Sequence, residues 1–313
     1  MNVIYTLNYA VFAAFFTLFV IEVGIAASFL ISYRDKDRLK RYLMPVWEIT
    51  GTFAVFYLVN FEASFPTAIK IIGSAYLVPL LIAAMFFIFR NAFIAYSEYI
   101  SNVRSERTFL RIYSVATIIT AFVVVAVLGS GVSGIGINVQ AMSANIYAML
   151  FNPFALLLFV SVALIGIFVI SVFFGLGRRK RLVYTSAPIA ILLIFAALYL
   201  YDRYALVNAA AYWPILAFTI ALLAVVMYLD AKAKKASRYA VVAWLFWAIM
   251  YFGMIMYPYW FGGTVNSQSY LVNAITGRYT VAITITGGVF LVGALTYFIY
   301  IAYLKRPNGA VGY

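Results

Sequence analysis

Glu22, Glu48, Glu62 and Arg90 are the residues of this chain whose types and settings could do chemistry, because each lies in a long apolar run. An ionisable side chain in hydrocarbon is costly, so it turns toward a bundle interior and marks a proton, ion or ligand path by default. Glu22 falls mid-way along the first run, about 15 Å from its inner end at 1.5 Å per residue. Glu48 is expected about one turn into the second run, and Glu62 near the far end of that run. With the first two runs as antiparallel neighbours, Glu48 and Glu22 could form two steps of a proton path, about 10 Å apart in depth and bridged by water. The plainer reading pairs each acid with a basic side chain or backbone group of a neighbouring helix, and leaves Glu62 at the interface. Arg90 has several readings. It can pair with Glu98 two turns on or with Glu48, meet an anionic group of a cofactor or lipid, or snorkel to the headgroups.

Histidine and cysteine are both missing from the 313 residues. That excludes a disulfide, a zinc site, an iron–sulfur cluster, a thiolate nucleophile, an imidazole base and a Ser-His-Asp triad. Nine methionines remain, but Met normally serves haem as one half of a His–Met pair. Any strongly ligated cofactor is therefore expected on another chain. The missing cysteine, with abundant Tyr and Ile, fits a thermophile.

The elements that must position these residues follow from composition. Hydrophobic residues make up 66% and charged residues 10%, against about 45–50% and about 25% in soluble domains. A soluble enzyme, a disordered chain and a fibrous repeat are excluded. The net charge of +13 does not point to nucleic acid, because the basic residues cluster between apolar runs. Those runs lie near 6–32, 45–63, 71–97, 108–129, 151–176, 182–201, 211–229, 239–257 and 280–304.

Alternate loops carry the charge. Arg34, Lys36, Arg38, Lys40 and Arg41 follow the first run; Arg104, Arg107 and Arg111 the third. Arg178, Arg179, Lys180 and Arg181 follow the fifth, Lys232, Lys234, Lys235 and Arg238 the seventh, and Lys305 and Arg306 the ninth. The other side has only Lys70, Arg203 and Arg278. This asymmetry predicts a multi-pass plasma-membrane protein with its N-terminus outside and its C-terminus cytoplasmic. No basic segment precedes the first run and no small-residue cleavage site follows it, so that helix is expected to be retained.

The expected fold is an all-α polytopic membrane protein of nine transmembrane helices, grouped as two four-helix bundles plus one peripheral helix. The chain reads as a single transmembrane domain over 1–313. The shared rhythm of loop charge suggests a pseudo-repeat of 1–130 and 150–260, with helix 280–304 extra, although the residues do not visibly repeat. Trp47, Tyr96, Trp213, Tyr257, Tyr259 and Trp260 read as interfacial anchors. The glycines at 129–136 lack the strand, Lys and Ser/Thr of a phosphate loop.

The second run carries a resemblance. Pro45-Val46-Trp47-Glu48-Ile49-Thr50-Gly51-Thr52-Phe53 resembles the Pro-Val-Trp-Asp-x-Asn-x-Thr-Trp run of subunit II of cytochrome bd quinol oxidases. Phe61-Glu62-Ala63-Ser64-Phe65-Pro66 is similar to that family's Phe-Ala-Ala-Phe-Pro helix end. Pro79-Leu80-Leu81 followed by Ile88-Phe89-Arg90 resembles its third helix, and Asn152-Pro153-Phe154-Ala155-Leu156-Leu157 the opening of its fifth. Tyr257-Pro258 and Asn273-Ala274 resemble the outer turn between its last two helices. The order and spacing of these pieces cover most of the chain.

The departures mark a distant member. Glu48 replaces the family's Asp, Thr50 its Asn and Phe53 its second Trp. The Asp-Gly-Phe-Asp-x-Gly run of the first helix is reduced to Phe19-Val20-Ile21-Glu22-Val23-Gly24, with one acid kept. The resemblance implies nine helices in the orientation above. It also implies a partner, subunit I, that carries haems b and d and the quinol site. Subunit II would then ligate no cofactor, contact quinone or lipid, help carry protons toward the oxygen-reducing haem, and in some members form part of an oxygen route. Glu22 and Glu48 stand at the family's proton-pathway positions, and Trp47, Arg90, Glu62 and Glu98 are structural or interface candidates.

The competing reading is a proton-coupled secondary transporter with Glu22 at the midplane. Transporters tend to break helices with Gly or Pro near mid-membrane. Here Pro45, Pro66, Pro153 and Pro258 sit near run ends, which favours the oxidase subunit. A purely structural assembly subunit is the third reading.

Overall fold

The computed structural model describes residues 2–31, 36–100, 103–175 and 180–299. Arg34, Arg178, Arg179, Lys305, Arg306 and the end of the ninth run lie outside the described residues. Among the described residues, twelve α-helices follow one another: α1 (Val3–Ile31), α2 (Lys36–Ser64), α3 (Pro66–Ala75), α4 (Leu77–Tyr99), α5 (Val103–Ser133), α6 (Ile146–Leu150), α7 (Pro153–Phe174), α8 (Lys180–Tyr201), α9 (Arg203–Ala211), α10 (Trp213–Ala231), α11 (Ser237–Ile255) and α12 (Ala274–Ile299). Among the described residues, nine of these are long and apolar enough to cross a membrane. Two small antiparallel hairpins decorate the loops. β1 (Ile137–Asn138) pairs with β2 (Ser143–Ala144), and β3 (Tyr259–Trp260) with β4 (Val265–Asn266).

Local chemistry explains where the chain breaks. Proline is tolerated in the first turn of a helix, where its missing N–H would have no partner anyway. Pro66 opens α3, Pro153 opens α7 and Pro214 sits in the first turn of α10. Asn152 caps α7 by accepting from the Ala155 amide at 2.6 Å, and Asp202 caps α9 by accepting from the Ala205 amide at 3.1 Å. The third apolar run is therefore the end of a short helix followed by a spanning one, and a further short helix, α9, fills the segment between the sixth and seventh runs. The second run was expected to start at residue 45. It starts at Lys36 instead, and Pro45 lies inside α2. The basic residues of that segment hide it from a hydropathy window yet remain good helix formers.

The two halves of the chain pack closely against each other. α1 packs against α2, α5, α7, α11 and α12; α5 also packs on α4 and α7, α7 on α8 and α11, and α10 on α11. The centre is thus α1, α5, α7 and α11, drawn from both halves of the chain, with α12 at the edge against α1 and α2. Small residues set these close approaches, as expected where lipid gives no hydrophobic drive between helices. A Cβ on Gly129 of α5 would come within 2.9 Å of the Ala155 backbone of α7.

The ends of the bundle are tied by polar contacts. Lys40 bridges Glu98 and Glu106, each at 2.9 Å, joining the start of α2 to the end of α4 and the start of α5. The Tyr184 hydroxyl donates to Asp230 at 2.6 Å, joining α8 to α10. At the opposite end, the amides of Phe261 and Gly262 donate to the Gly131 and Val132 carbonyls at 2.8 and 2.6 Å. Gly262 adopts φ +63°, and a Cβ there would strike the Ser133 carbonyl, so the turn requires glycine.

A buried carboxylate–guanidinium site

Three helices bring three polar side chains to one level. Glu22 lies nine residues before the end of α1, Arg90 nine before the end of α4, and Tyr113 ten after the start of α5. At 1.5 Å per residue all three sit about 14–15 Å from the basic end of the bundle. Each is fully buried, at 0% exposure. Arg90 Nη1 donates to Glu22 Oε1, and the Tyr113 hydroxyl donates to the same oxygen at 2.8 Å. The Arg90 guanidinium also stacks on the Phe87 ring, 4.2 Å from its centroid. Arg90 therefore pairs with Glu22, rather than with Glu98 or Glu48, and does not snorkel.

Such a pair is held by mutual compensation. Each ion taken from water loses several kcal/mol of hydration, which the partner and further hydrogen bonds must offset. Here Glu22 Oε1 has two donors, while Glu22 Oε2, Arg90 Nε and Arg90 Nη2 have no partner among the described residues. Thr117 and Thr120 follow Tyr113 along one buried face of α5, their hydroxyls donating to the Tyr113 and Ala116 carbonyls at 2.8 and 2.9 Å.

Glu48 does not sit at a mouth one turn into its helix. It lies twelve residues after the start of α2, about 18 Å along that helix and so no shallower than Glu22. The expected 10 Å step in depth is absent, because α2 begins earlier than its hydropathy suggests. Glu48 is exposed, in an open groove between α2, α4 and α12 lined by Val55, Val59, Phe87 and Phe290. Next to it, Trp47 Nε1 donates to Asn91 Oδ1 at 2.6 Å and fastens α2 to α4. Trp47 is thus a helix-to-helix tie within the span rather than an interfacial anchor. Glu62 is exposed at the far end of α2, and Glu98 pairs with Lys40.

Tyr113, Asn91 and Lys40 were not singled out by sequence reasoning. A tyrosine near a run end reads as an anchor, and nothing local marks which way it faces. One signal was available: counted from the inner ends of their runs, Glu22 and Arg90 fall at similar depth, as opposite charges on packed helices must.

A second feature lies beside the site. An almost wholly apolar cavity of about 500 Å³ runs between the central and outer helices, lined by Phe12, Tyr57, Val124, Leu158 and Trp244 among others.

The sequence pattern of the cytochrome bd terminal oxidase subunit II family matches residues 1–305. The chain belongs to that family. A Bacillus subtilis (strain 168) protein provisionally named a cytochrome bd menaquinol oxidase subunit II is 30% identical over 102 residues. That match spans 31% of this chain and 28% of the relative's length. A chain in the structure of bd oxidase from Geobacillus thermodenitrificans superposes with a TM-score of 0.74 at 18% identity. It covers 97% of this chain and 100% of that one, which establishes a shared fold. Family and helices together make this subunit II a multi-pass plasma-membrane protein.

Proposed function

We propose that this chain is the haem-free second subunit of a quinol:oxygen oxidoreductase. In this reading it packs against a haem-bearing subunit I and leads protons from the basic face toward the partner's oxygen-reducing haem. The observation that carries this is the buried Glu22–Arg90–Tyr113 cluster at the same level as the exposed Glu48. Reducing oxygen to water consumes protons, and a site among helices receives them only through polar groups and water. Glu22 and Glu48 are carboxylates at the required depth. A carboxylate that deep is not left facing lipid, so the α2–α4–α12 groove is the face that the partner covers, presenting a donor to Glu48. Lipid would cover the remaining outer faces, and quinol and haems b and d would bind on the partner.

The residues of this chain do not fit a haem. Histidine and cysteine are missing, and the buried Met149 and Met256 are packed among apolar side chains. No step is therefore assigned to a haem in this subunit. The transporter reading is weakened because the chain breaks at α3–α4, α6–α7 and α9–α10 lie toward one end of the bundle, not at mid-depth. Purification of the intact complex discriminates the two. The oxidase reading expects haem absorption from a co-purifying subunit and quinol-driven oxygen uptake; a colourless, stable, single-chain protein would contradict it.

The apolar cavity supports an accompanying role in oxygen supply, since dry apolar cavities admit small nonpolar guests. Val124→Trp should narrow it and raise the oxygen concentration needed for half-maximal rate. An unchanged oxygen dependence would remove that role.

A further inference from the structure

At the end of the bundle away from the basic loops, five oxidisable rings stand in one row that the proton path does not use. Tyr5 is its hub. It is fully buried, with its ring centroid 4.6 Å from Tyr257, 4.8 Å from Tyr9 and 6.4 Å from the stacked Trp260. The Trp260 indole N–H donates to the Tyr5 hydroxyl at 3.3 Å. Phe12 continues the row inward, 6.1 Å from Tyr9 and 5.1 Å from Tyr57. Tyr57 lies seven residues before the end of α2, about 10 Å inside it.

The two ends of the row differ. Tyr57, Tyr9 and Trp260 line the apolar cavity. Tyr257 is half-buried, and its hydroxyl accepts from the side-chain amide of the exposed Gln268. Tyr5 is no headgroup anchor, because an anchoring ring keeps its polar tip in the wet interface. Phenol and indole rings give up an electron far more readily than phenyl or aliphatic groups. A row of them from cavity to surface is therefore a route along which an oxidising equivalent moves outward.

We propose that Tyr57, Tyr9, Tyr5 and Tyr257, with Trp260 bonded to Tyr5, form a discharge relay that carries oxidising equivalents from the apolar cavity to the surface. This rests on the oxygen-supply reading above, which brings oxygen into the cavity. An alkoxyl or hydroxyl radical there takes the phenolic hydrogen of Tyr57. The tyrosine O–H bond breaks, a new O–H bond forms on the radical, and an alcohol or water leaves. The phenoxyl regains an electron and a proton from Tyr9, Tyr9 from Tyr5, and Tyr5 from Tyr257. The Trp260 N–H holds the Tyr5 oxygen in place throughout. A quinol or ascorbate at the surface returns one hydrogen atom to Tyr257 and is left as its one-electron-oxidised radical. One hydrogen atom crosses for each radical quenched, and the protein ends as it began.

The intact complex, treated with tert-butyl hydroperoxide and ferrous iron with and without ascorbate, tests the relay. Peptide mass spectrometry measures oxidation at Tyr57 and Tyr9. In wild type, ascorbate should protect both residues. Tyr5→Phe keeps the ring and its packing but breaks the row, so oxidation at Tyr57 and Tyr9 should rise severalfold and the protection by ascorbate should be lost. Tyr257→Phe, nearer the surface, should do the same and carries the test if Tyr5→Phe does not retain its partner. Equal oxidation in wild type and Tyr257→Phe, or protection by ascorbate that persists in both variants, overturns the proposal. Because the oxidant is added, the two readings fail separately. An oxygen dependence unchanged in Val124→Trp removes the oxygen supply and leaves the relay result readable, whereas variants as well protected as wild type remove the relay alone.

Discussion

Replacing Arg90 by methionine keeps most of the side-chain volume and removes the charge that compensates Glu22. The carboxylate would then be buried at 0% exposure with only the Tyr113 hydroxyl, 2.8 Å away, as a donor. Breaking a buried pair from one side costs about 3–5 kcal/mol, which lowers the folded-to-unfolded ratio by a factor between roughly 10² and 5 × 10³. Arg90→Met should therefore assemble poorly and unfold at a lower temperature. Adding Glu22→Gln removes the stranded charge as well. The double variant should recover to within about 1–2 kcal/mol of wild type, since a buried pair replaced on both sides is often nearly neutral. Thermal unfolding of the purified complex, with retained haem as a second readout, measures both. An Arg90→Met complex as stable as wild type would refute the reasoning, and so would a double variant no better than the single one.

Gly129→Ala should destabilise the complex by about 1–3 kcal/mol, because the new methyl meets the Ala155 backbone at 2.9 Å where α5 and α7 touch; unchanged thermal unfolding would show that the helices can part freely. Burial raises the pKa of Asp202, against the opposing backbone hydrogen bonds, so the folded state binds more protons than the unfolded one and this residue's contribution falls as pH rises above about 4. Asp202→Asn keeps the cap acceptor and should stabilise at neutral pH, with the gain fading toward pH 4; a gain independent of pH would contradict this. Cysteine at Ala141, exposed beyond β1 and the sole thiol in the chain, should react with an impermeant reagent outside intact cells, and reaction only after permeabilisation would invert the proposed orientation.

The nine spans were legible because about 20 apolar residues in a row admit few other readings. The short helices were not, since α3 continues into the run of α4 with only Tyr76 at the joint, and α9 fills what read as a loop before the seventh run. The start of α2 was missed for the opposite reason. Its charges look like a loop on a hydropathy scale although Lys36–Leu43 is helical. That one displacement moved Glu48 from the mouth of a path to the level of Glu22.

The identity of Glu22 and Arg90 as informative residues was readable from type and setting alone. Their pairing was not, because it joins positions 68 apart in sequence through the packing of α1 on α5 and of α5 on α4. Tyr113 completes the cluster only through the face that α5 turns toward α1. Helix faces are hard to read here, where nearly every residue of a span is apolar and no polar stripe marks the outside.

The most direct test of the proton role is quinol-driven oxygen uptake, expressed per haem, in Glu22→Gln, Glu48→Gln and the Glu22→Gln/Arg90→Met double variant. The amide that Glu22→Gln introduces keeps an acceptor for Arg90 and Tyr113 but cannot relay a proton, and the double variant separates lost activity from lost assembly. The account predicts at least a tenfold slower rate in both Glu22 variants, about 1.4 kcal/mol on the limiting barrier. Glu48→Gln should be comparably slow, since its depth gives water no short bypass. Full activity per haem in Glu22→Gln would contradict the account and leave Glu22 as the structural counter-ion of Arg90.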